Sequence, residues 1–169
     1  MVTFTHGLIL STKLSEFRVS DIDSDSKFDS IVGSALADPF QAFSKSRVVS
    51  TLDDNTLFVT FETLVSDVRT EASVSGFGGV FCDVDLEETT KMDSFLLRWI
   101  FAGQNVCRLG TRGFELFGGP FENESTISKV VITLGNAPMK NAVDVKHEGK
   151  KRDIVVMDDF LYGEPVGLL

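Results

Sequence analysis

The chain has few of the residues on which enzyme active sites most often depend. Its 169 residues include two histidines, His6 and His147, and two cysteines, Cys82 and Cys107. A serine or cysteine nucleophile needs a base beside it, and no G-x-S-x-G motif occurs in the sequence. The histidines and cysteines also lack the spacing of zinc ligands. We therefore expect a protein that is not an enzyme and that has no cofactor.

Long apolar runs and a targeting segment are lacking as well. The first ten residues, MVTFTHGLIL, have no basic region of the kind that opens a signal peptide. No apolar run approaches the ~18 residues that span a bilayer. Neither cysteine belongs to a C-x-x-C pair, which is typical of buried thiols in a reducing compartment, although a single disulfide between them is an alternative. These features predict an intracellular, cytoplasmic protein without a transmembrane segment.

Basic residues are scarce, with 16 against 25 acidic residues and a net charge of -9. This balance disfavours a broad nucleic-acid surface, because such binding depends on Lys and Arg neutralising phosphates. One local basic cluster occurs at a predicted hairpin turn over 146–152 and consists of Lys146, Lys150, Lys151 and Arg152. Lysines collect in turns for solubility alone. The cluster is nevertheless the weak candidate for binding nucleic acid or another polyanion.

Aromatic residues are unevenly distributed among types, with fifteen Phe, one Tyr and one Trp. Tyr and Trp supply many of the amphipathic anchors at binding surfaces. We therefore expect most of the rings to lie in the core.

A two-residue period dominates the sequence and predicts half-buried strands. In TLFVTFETL, for example, Leu57, Val59 and Phe61 fall on one face. Further strands are predicted over 2–10, 15–20, 47–51, 79–86, 105–110, 113–117, 128–135, 142–148 and 153–158. Clusters of Gly, Asn, Pro and Asp separate these segments, as antiparallel connections require.

Two segments follow the helical period instead. Apolar residues over 27–38 recur at helical spacing up to Pro39, which cannot continue a helix. Met92, Phe95, Leu96, Trp99 and Ile100 repeat this spacing and predict a helix over 91–102, with a buried strand as the alternative for FLLRWIF. The fold expected is mainly β, with α+β as an alternative. It is an antiparallel sandwich or barrel of about ten short strands with one or two covering helices.

Three aspartates near the first predicted helix resemble part of a calcium-binding loop. Asp21, Asp23 and Asp25 have suitable spacing, but Ser26 replaces the required Gly and Val32 the closing Glu. Asp25 is better explained as a cap of the helix that follows. These aspartates are therefore only weak candidates for binding a metal ion.

The last twelve residues, DDFLYGEPVGLL, are unusually apolar for a chain terminus. We predict a single globular domain over 1–157 and an apolar tail over 158–169, which either packs on its own domain or reaches a neighbouring subunit. The residues of the tail that would make these contacts are Phe160, Leu161, Tyr162, Val166, Leu168 and Leu169.

Three functions remain compatible with these features. The leading hypothesis is a non-enzymatic, β-rich domain for protein association or self-assembly, of the kind found in viral structural or accessory proteins. The second is a nucleic-acid or polyanion binding module that uses the basic hairpin. The third is a small-ligand carrier or barrel enzyme with a Phe-lined cavity.

Overall fold

Antiparallel strands dominate the chain, which confirms the mainly β prediction. The computed structural model describes residues 2–3, 7–12, 17–21, 47–66, 68–107, 114–120, 126–140 and 152–168. Within these ranges the strands are β1 (Val2–Thr3), β2 (Leu8–Thr12), β3 (Phe17–Asp21), β4 (Arg47–Thr51), β5 (Thr56–Val65), β6 (Val68–Ser73), β7 (Gly76–Cys82), β8 (Lys91–Phe95), β9 (Phe101–Val106), β10 (Phe114–Pro120), β11 (Lys129–Thr133), β12 (Val156–Tyr162) and β13 (Val166–Gly167). One 3-10 helix, Leu97–Trp99, joins β8 to β9.

The strands form two sheets, one of which is curled into a half-barrel. The larger sheet has the order β1-β2-β5-β11-β8-β9, with β6 also paired with β5 and β13 paired with β6. The smaller sheet has the order β10-β7-β12-β4-β3. Buried residues of both sheets, including Leu57, Val59 and Phe61 of β5 and Phe81 of β7, belong to one hydrophobic cluster. The alternation predicted for TLFVTFETL therefore places its apolar face in the core.

Strand β5 has two successive partners along one of its edges. On one edge it pairs with β2, and beyond that strand the amide of Glu62 still donates to the carbonyl of Gly7. The opposite edge pairs with β11 over 56–60 and with β6 over 61–65. An isolated bridge between Val74 and Ile127 connects the two partners where they diverge. The larger sheet therefore forks at the middle of β5.

Several predicted strands differ from those observed, and the segment predicted over 142–148 lies outside the described residues. β9 covers only the start of the segment predicted over 105–110, and β12 begins three residues after the start of the segment predicted over 153–158. The segment 2–10 is not one strand, because β1 and β2 pair with each other in the register Val2 with Leu10. The segment 79–86 leaves the sheet after Cys82, since Asp83 has a φ of 67°. Positive φ is incompatible with a continuing strand.

The predicted helix over 91–102 is wrong. This segment forms β8, the 3-10 turn and β9, and Arg98 and Trp99 have φ values of 61° and 63°, which no right-handed helix contains. The apolar spacing matches a helix only by coincidence, because Met92 is buried in the core whereas Trp99 is 66% exposed. The helix predicted over 27–38 lies outside the described residues. Within the described ranges, no helix is long and apolar enough to cross a membrane.

The predicted tail begins inside a strand. Residues 158–162 are the last five of the seven residues of β12, which lies between β7 and β4, and β13 pairs with β6. Phe160 and Tyr162 pack against the core cluster. Cys82 and Cys107 are buried thiols, so the alternative of a disulfide between them is wrong.

Candidate functional site

Four large apolar side chains are exposed together at the turn between β8 and β9. Leu97, Trp99, Ile100 and Phe101 are 45%, 66%, 59% and 57% exposed, and we call these four residues the tip surface. Single exposed apolar residues are ordinary, but a contiguous patch usually marks a place where something binds.

The backbone of the turn explains why these side chains point outward. The amide of Leu96 donates to the carbonyl of Ile100 at 2.8 Å, and the amide of Trp99 donates to the carbonyl of Leu96 at 3.2 Å. Closing the hairpin this tightly places Arg98 and Trp99 in the left-handed region, where residues other than glycine are uncommon. Each such residue costs on the order of 1 kcal/mol, and such strain concentrates at functional sites.

An aromatic cluster lies beside the turn on the outer face of the larger sheet. The ring of Phe95 lies 6.3 Å from that of Trp99 and 5.8 Å from that of Phe101, measured between centroids. In the sheet Phe95 pairs with Phe101 on one side and with Lys129 on the other. The register of three strands therefore places a lysine among these rings.

Lys129 is only 9% exposed although it carries a charge. Its Nζ lies 3.3 Å from the ring centroid of Trp99 and 4.5 Å from that of Phe58. Among the described residues, no carboxylate oxygen lies within ion-pair distance of this Nζ. Burial lowers the pKa of Lys129 below its ordinary value. The ammonium is thus stabilised by cation–π contacts rather than by an anion.

A groove of about 320 Å³ opens at the fork of the larger sheet, and we call it the fork groove. It exists because β6 and β11 diverge from the same edge of β5. Side chains that contribute to its walls include Glu62, Glu71, Leu97, Arg98, Trp99 and Lys129. The groove therefore combines a buried cation, an indole ring and apolar walls.

Two carboxylates also line the fork groove. Glu62 and Glu71 are direct cross-strand partners in β5 and β6, where like charges repel. Arg69 lies 3.5 Å from Glu62 Oε2 and offsets part of this repulsion. The same Oε2 atom is buried and accepts no hydrogen bond. The groove wall is therefore acidic on the side of β5 and β6.

A second buried charge, Asp153, has a different environment. It is 1% exposed, its Oδ1 accepts a hydrogen bond from the amide of Asp85 at 3.0 Å, and its Oδ2 accepts one from the hydroxyl of Thr89. Burial raises the pKa of Asp153, and these hydrogen bonds oppose the increase. Both carboxylate oxygens therefore have donors from the loop that follows β7.

Backbone contacts complete this arrangement, which we call the Asp153 junction. The amide of Asn136 donates to the carbonyl of Asp153 at 3.0 Å, and the amide of Asp153 donates to Asn136 Oδ1 at 2.9 Å. Gly135 has a φ of 64°, and a Cβ there would lie 2.1 Å from the same carbonyl oxygen. Only glycine fits this position. The junction connects the loop after β7, the segment after β11 and the segment before β12. Its close packing leaves no room for a ligand beside Gly135.

The predicted polyanion and metal sites are described only in part. Of the basic cluster, Lys146, Lys150 and Lys151 lie outside the described residues, and Arg152 is half-buried next to the Asp153 junction. Asp21 is the last residue of β3, and Asp23 and Asp25 lie outside the described residues. In the part of the chain that the structure describes, no three His, Cys, Asp or Glu residues are grouped so that they could hold a metal ion.

The residues of the predicted tail lie in different environments. Phe160 and Tyr162 pack on the core, whereas Leu161 and Val166 are 52% and 64% exposed. Leu168 lines the fork groove, and its amide donates to the carbonyl of Glu71 at 2.8 Å. Leu169 lies outside the described residues.

Trp99 and Lys129 were not predicted as site residues. The alternation in KMDSF, with Met92 and Ser94 buried between half-buried neighbours, was the available signal for a strand before Trp99. No comparable local signal marks Lys129, because its aromatic neighbours come from other strands. No protein-family model, curated protein or solved structure matches this chain, so its function has to be inferred from the tip surface and the fork groove.

Proposed function

We propose that this chain is a non-enzymatic, β-rich domain that associates with a second copy of itself through the tip surface. The observation that carries the proposal is the exposure of Trp99, the chain's single tryptophan, on a strained turn among other exposed apolar side chains. Tryptophan is enriched among the residues that dominate binding energy at protein interfaces.

The size of the tip surface suits a small symmetric dimer. Because a large aromatic side chain can bury about 150–250 Å², the four exposed side chains present on the order of 500 Å² of apolar surface. Two copies that cover each other's tip would bury about 1,000 Å², which is near the lower limit for a specific interface. Contacts along β9 would add to this area.

The charge distribution favours the same face. A net charge of -9 makes two copies repel each other over most orientations. Between Phe95 and Cys107 the one charged residue is Arg98, and β9 itself, FAGQNV, has neither a charge nor a proline. Edge strands that must not pair with another chain usually contain charged residues or proline. Among the described strands, β9 pairs only with β8. A contact at this end therefore brings few charged side chains together.

Sedimentation velocity over a range of concentrations tests the proposal. We expect the wild type to show a reversible monomer–dimer equilibrium and Trp99→Ser to weaken dimerisation by about tenfold or more. Val166→Ser is a matched control, because Val166 is exposed to a similar extent, 64% against 66%, but lies on β13. We expect this control to leave the dimerisation constant unchanged.

Two results would overturn the proposal. One is a wild type that remains monomeric at the highest concentration measured. The other is a Val166→Ser variant that weakens the dimer as much as Trp99→Ser does, since this would show a general effect of lost apolar surface. Circular dichroism of both variants verifies that each keeps the wild-type strand content.

A further inference from the structure

We propose that the fork groove binds a small monocarboxylate with an aromatic or branched aliphatic body, and that the ligand's carboxylate pairs with Lys129. This ligand site shares Leu97 and Trp99 with the tip surface, but it does not require self-association. It rests on the cavity and on the largely buried Lys129 side chain that lines it.

The first step concerns the buried cation. Lys129 is more than nine-tenths buried, and its Nζ contacts the rings of Trp99 and Phe58. Removing an ammonium group from water is costly unless an anion or hydrogen-bond acceptors replace the water. Cation–π contacts supply part of this stabilisation. A carboxylate in the adjoining groove would supply the rest. The lowered pKa of Lys129 agrees with a desolvation cost that the cation–π contacts offset only in part.

The second step concerns size and apolar contact. The groove volume of about 320 Å³ falls at the small end of the range for ligand pockets, which begins near 300 Å³. Leu97, Trp99 and Leu168 provide apolar wall area beside Lys129. This combination suits a body the size of one aromatic ring or a short branched chain rather than a long acyl chain.

The third step concerns the acidic lining. Glu62 and Glu71 disfavour a second negative group, so dicarboxylates should bind more weakly than monocarboxylates. The preferred class is therefore a small monocarboxylate without a second acidic group, such as phenylacetate or 4-hydroxyphenylacetate.

Trp99 provides a direct signal for binding, because it is the single tryptophan of the chain and its ring lies against Lys129. We would titrate phenylacetate, 4-hydroxyphenylacetate and the uncharged phenylacetamide into low-micromolar protein and follow tryptophan emission. The expected result is saturable binding of both acids, with phenylacetate bound at least about tenfold more tightly than the amide.

Lys129→Met tests the role of the cation while preserving much of its length and apolar volume. We expect this variant to bind phenylacetate no better than phenylacetamide, and Lys129→Arg to retain most of the preference for the acid. Wild-type protein that binds acid and amide equally, that gives no saturable signal, or that keeps its preference after Lys129→Met would overturn the proposal.

NMR chemical shifts of the backbone amides of the wild type test the proposal even if Lys129→Met does not fold. Phenylacetate should perturb the amides of Thr60, Ser128 and Leu168, which line the groove. Perturbations confined to other regions would contradict the site. A chain that stays monomeric would fail the self-association proposal but would leave these titrations unchanged.

Discussion

Asp153 and Lys129 are both buried charges, yet their surroundings differ in kind. Asp153 is 1% exposed, and each of its carboxylate oxygens accepts a hydrogen bond from the loop after β7. Lys129 is 9% exposed and contacts the faces of two aromatic rings. Burial alone therefore does not identify a functional charge. What distinguishes the two is whether the fold itself supplies the partners.

Left-handed backbone positions occur in both places. Near the Asp153 junction Gly135 adopts this conformation at little cost, but Asp83 and Glu88 of the loop after β7 adopt it as well, with φ values of 67° and 62°. At the tip it belongs to Arg98 and Trp99, whose side chains make it unfavourable. Backbone strain therefore does not separate the two places, whereas the exposure of the apolar side chains at the tip does. We interpret the junction as a structural element and the tip, with its neighbouring groove, as the binding end.

The largest expected effect comes from removing the carboxylate of the junction. Asp153→Ala leaves the amide of Asp85 without its acceptor and removes one of the two acceptors of the Thr89 hydroxyl, the other being the carbonyl of Leu86. We expect a loss of about 2–3 kcal/mol in the free energy of unfolding, measured by urea denaturation.

Asp85→Ala is the matched control for that measurement. Asp85 lies in the same loop with an exposed side chain, and the variant keeps the backbone amide that donates to Asp153. The control should stay within about 0.5 kcal/mol of the wild type. Equal losses in the two variants would show that the loop, rather than the hydrogen bonds to Asp153, determines stability there.

A smaller effect is expected at Lys129, although it too is buried. Lys129→Met removes both the desolvation cost of the ammonium and its cation–π contacts, so these changes oppose each other. We expect a change within about 1 kcal/mol at neutral pH. A loss as large as that of Asp153→Ala would mean that the fold supplies Lys129 with partners as complete as those of Asp153.

Alkaline titration sharpens the comparison further. The folded-state pKa of Lys129 lies below its ordinary value of 10.5. At pH values between these two pKa values, the unfolded chain therefore binds more protons than the folded chain. Stability of the wild type should therefore rise relative to Lys129→Met as pH increases through this window. Urea denaturation of both proteins at successive pH values measures the difference. A wild type that loses stability relative to the variant would contradict the direction of the pKa shift.

The smallest effect concerns the strain of the turn. Arg98→Gly should stabilise the fold by about 0.5–1 kcal/mol, because glycine adopts a φ of 61° without steric cost. Arg98→Ala keeps a Cβ and should show no such gain. Thermal unfolding of the two variants distinguishes the backbone effect from loss of the charge, which both share. Equal stability of the two variants would show that the turn is not strained.

Sequence periodicity predicted the strands of the core well, for a physical reason. In β5 and β11 one face is buried and the other is not, so the two-residue alternation of Leu57, Val59 and Phe61 records the environment directly. The departure of the chain from the sheet after Cys82 was harder to predict. The alternation of Asp83 and Asp85 with apolar neighbours continues past the point where the backbone turns.

The binding end was not predictable in the same way. Trp99 belongs to a spacing that fits a helix equally well, and its exposure depends on the left-handed turn beside it. The environment of Lys129 depends on the cross-strand register of β11 with β5 and β8, which joins distant parts of the sequence. A single sequence contains the local alternation of these strands but not their mutual register.

The fork in β5 also has a consequence for the order of folding. β6 follows β5 directly in the chain, whereas β11 arrives after the five strands β6 to β10. The first pairing closes a short loop, and the second must close a long one at a higher entropic cost. The groove between them is therefore complete only late in folding. A ligand that needs both of its edges would slow unfolding without accelerating folding.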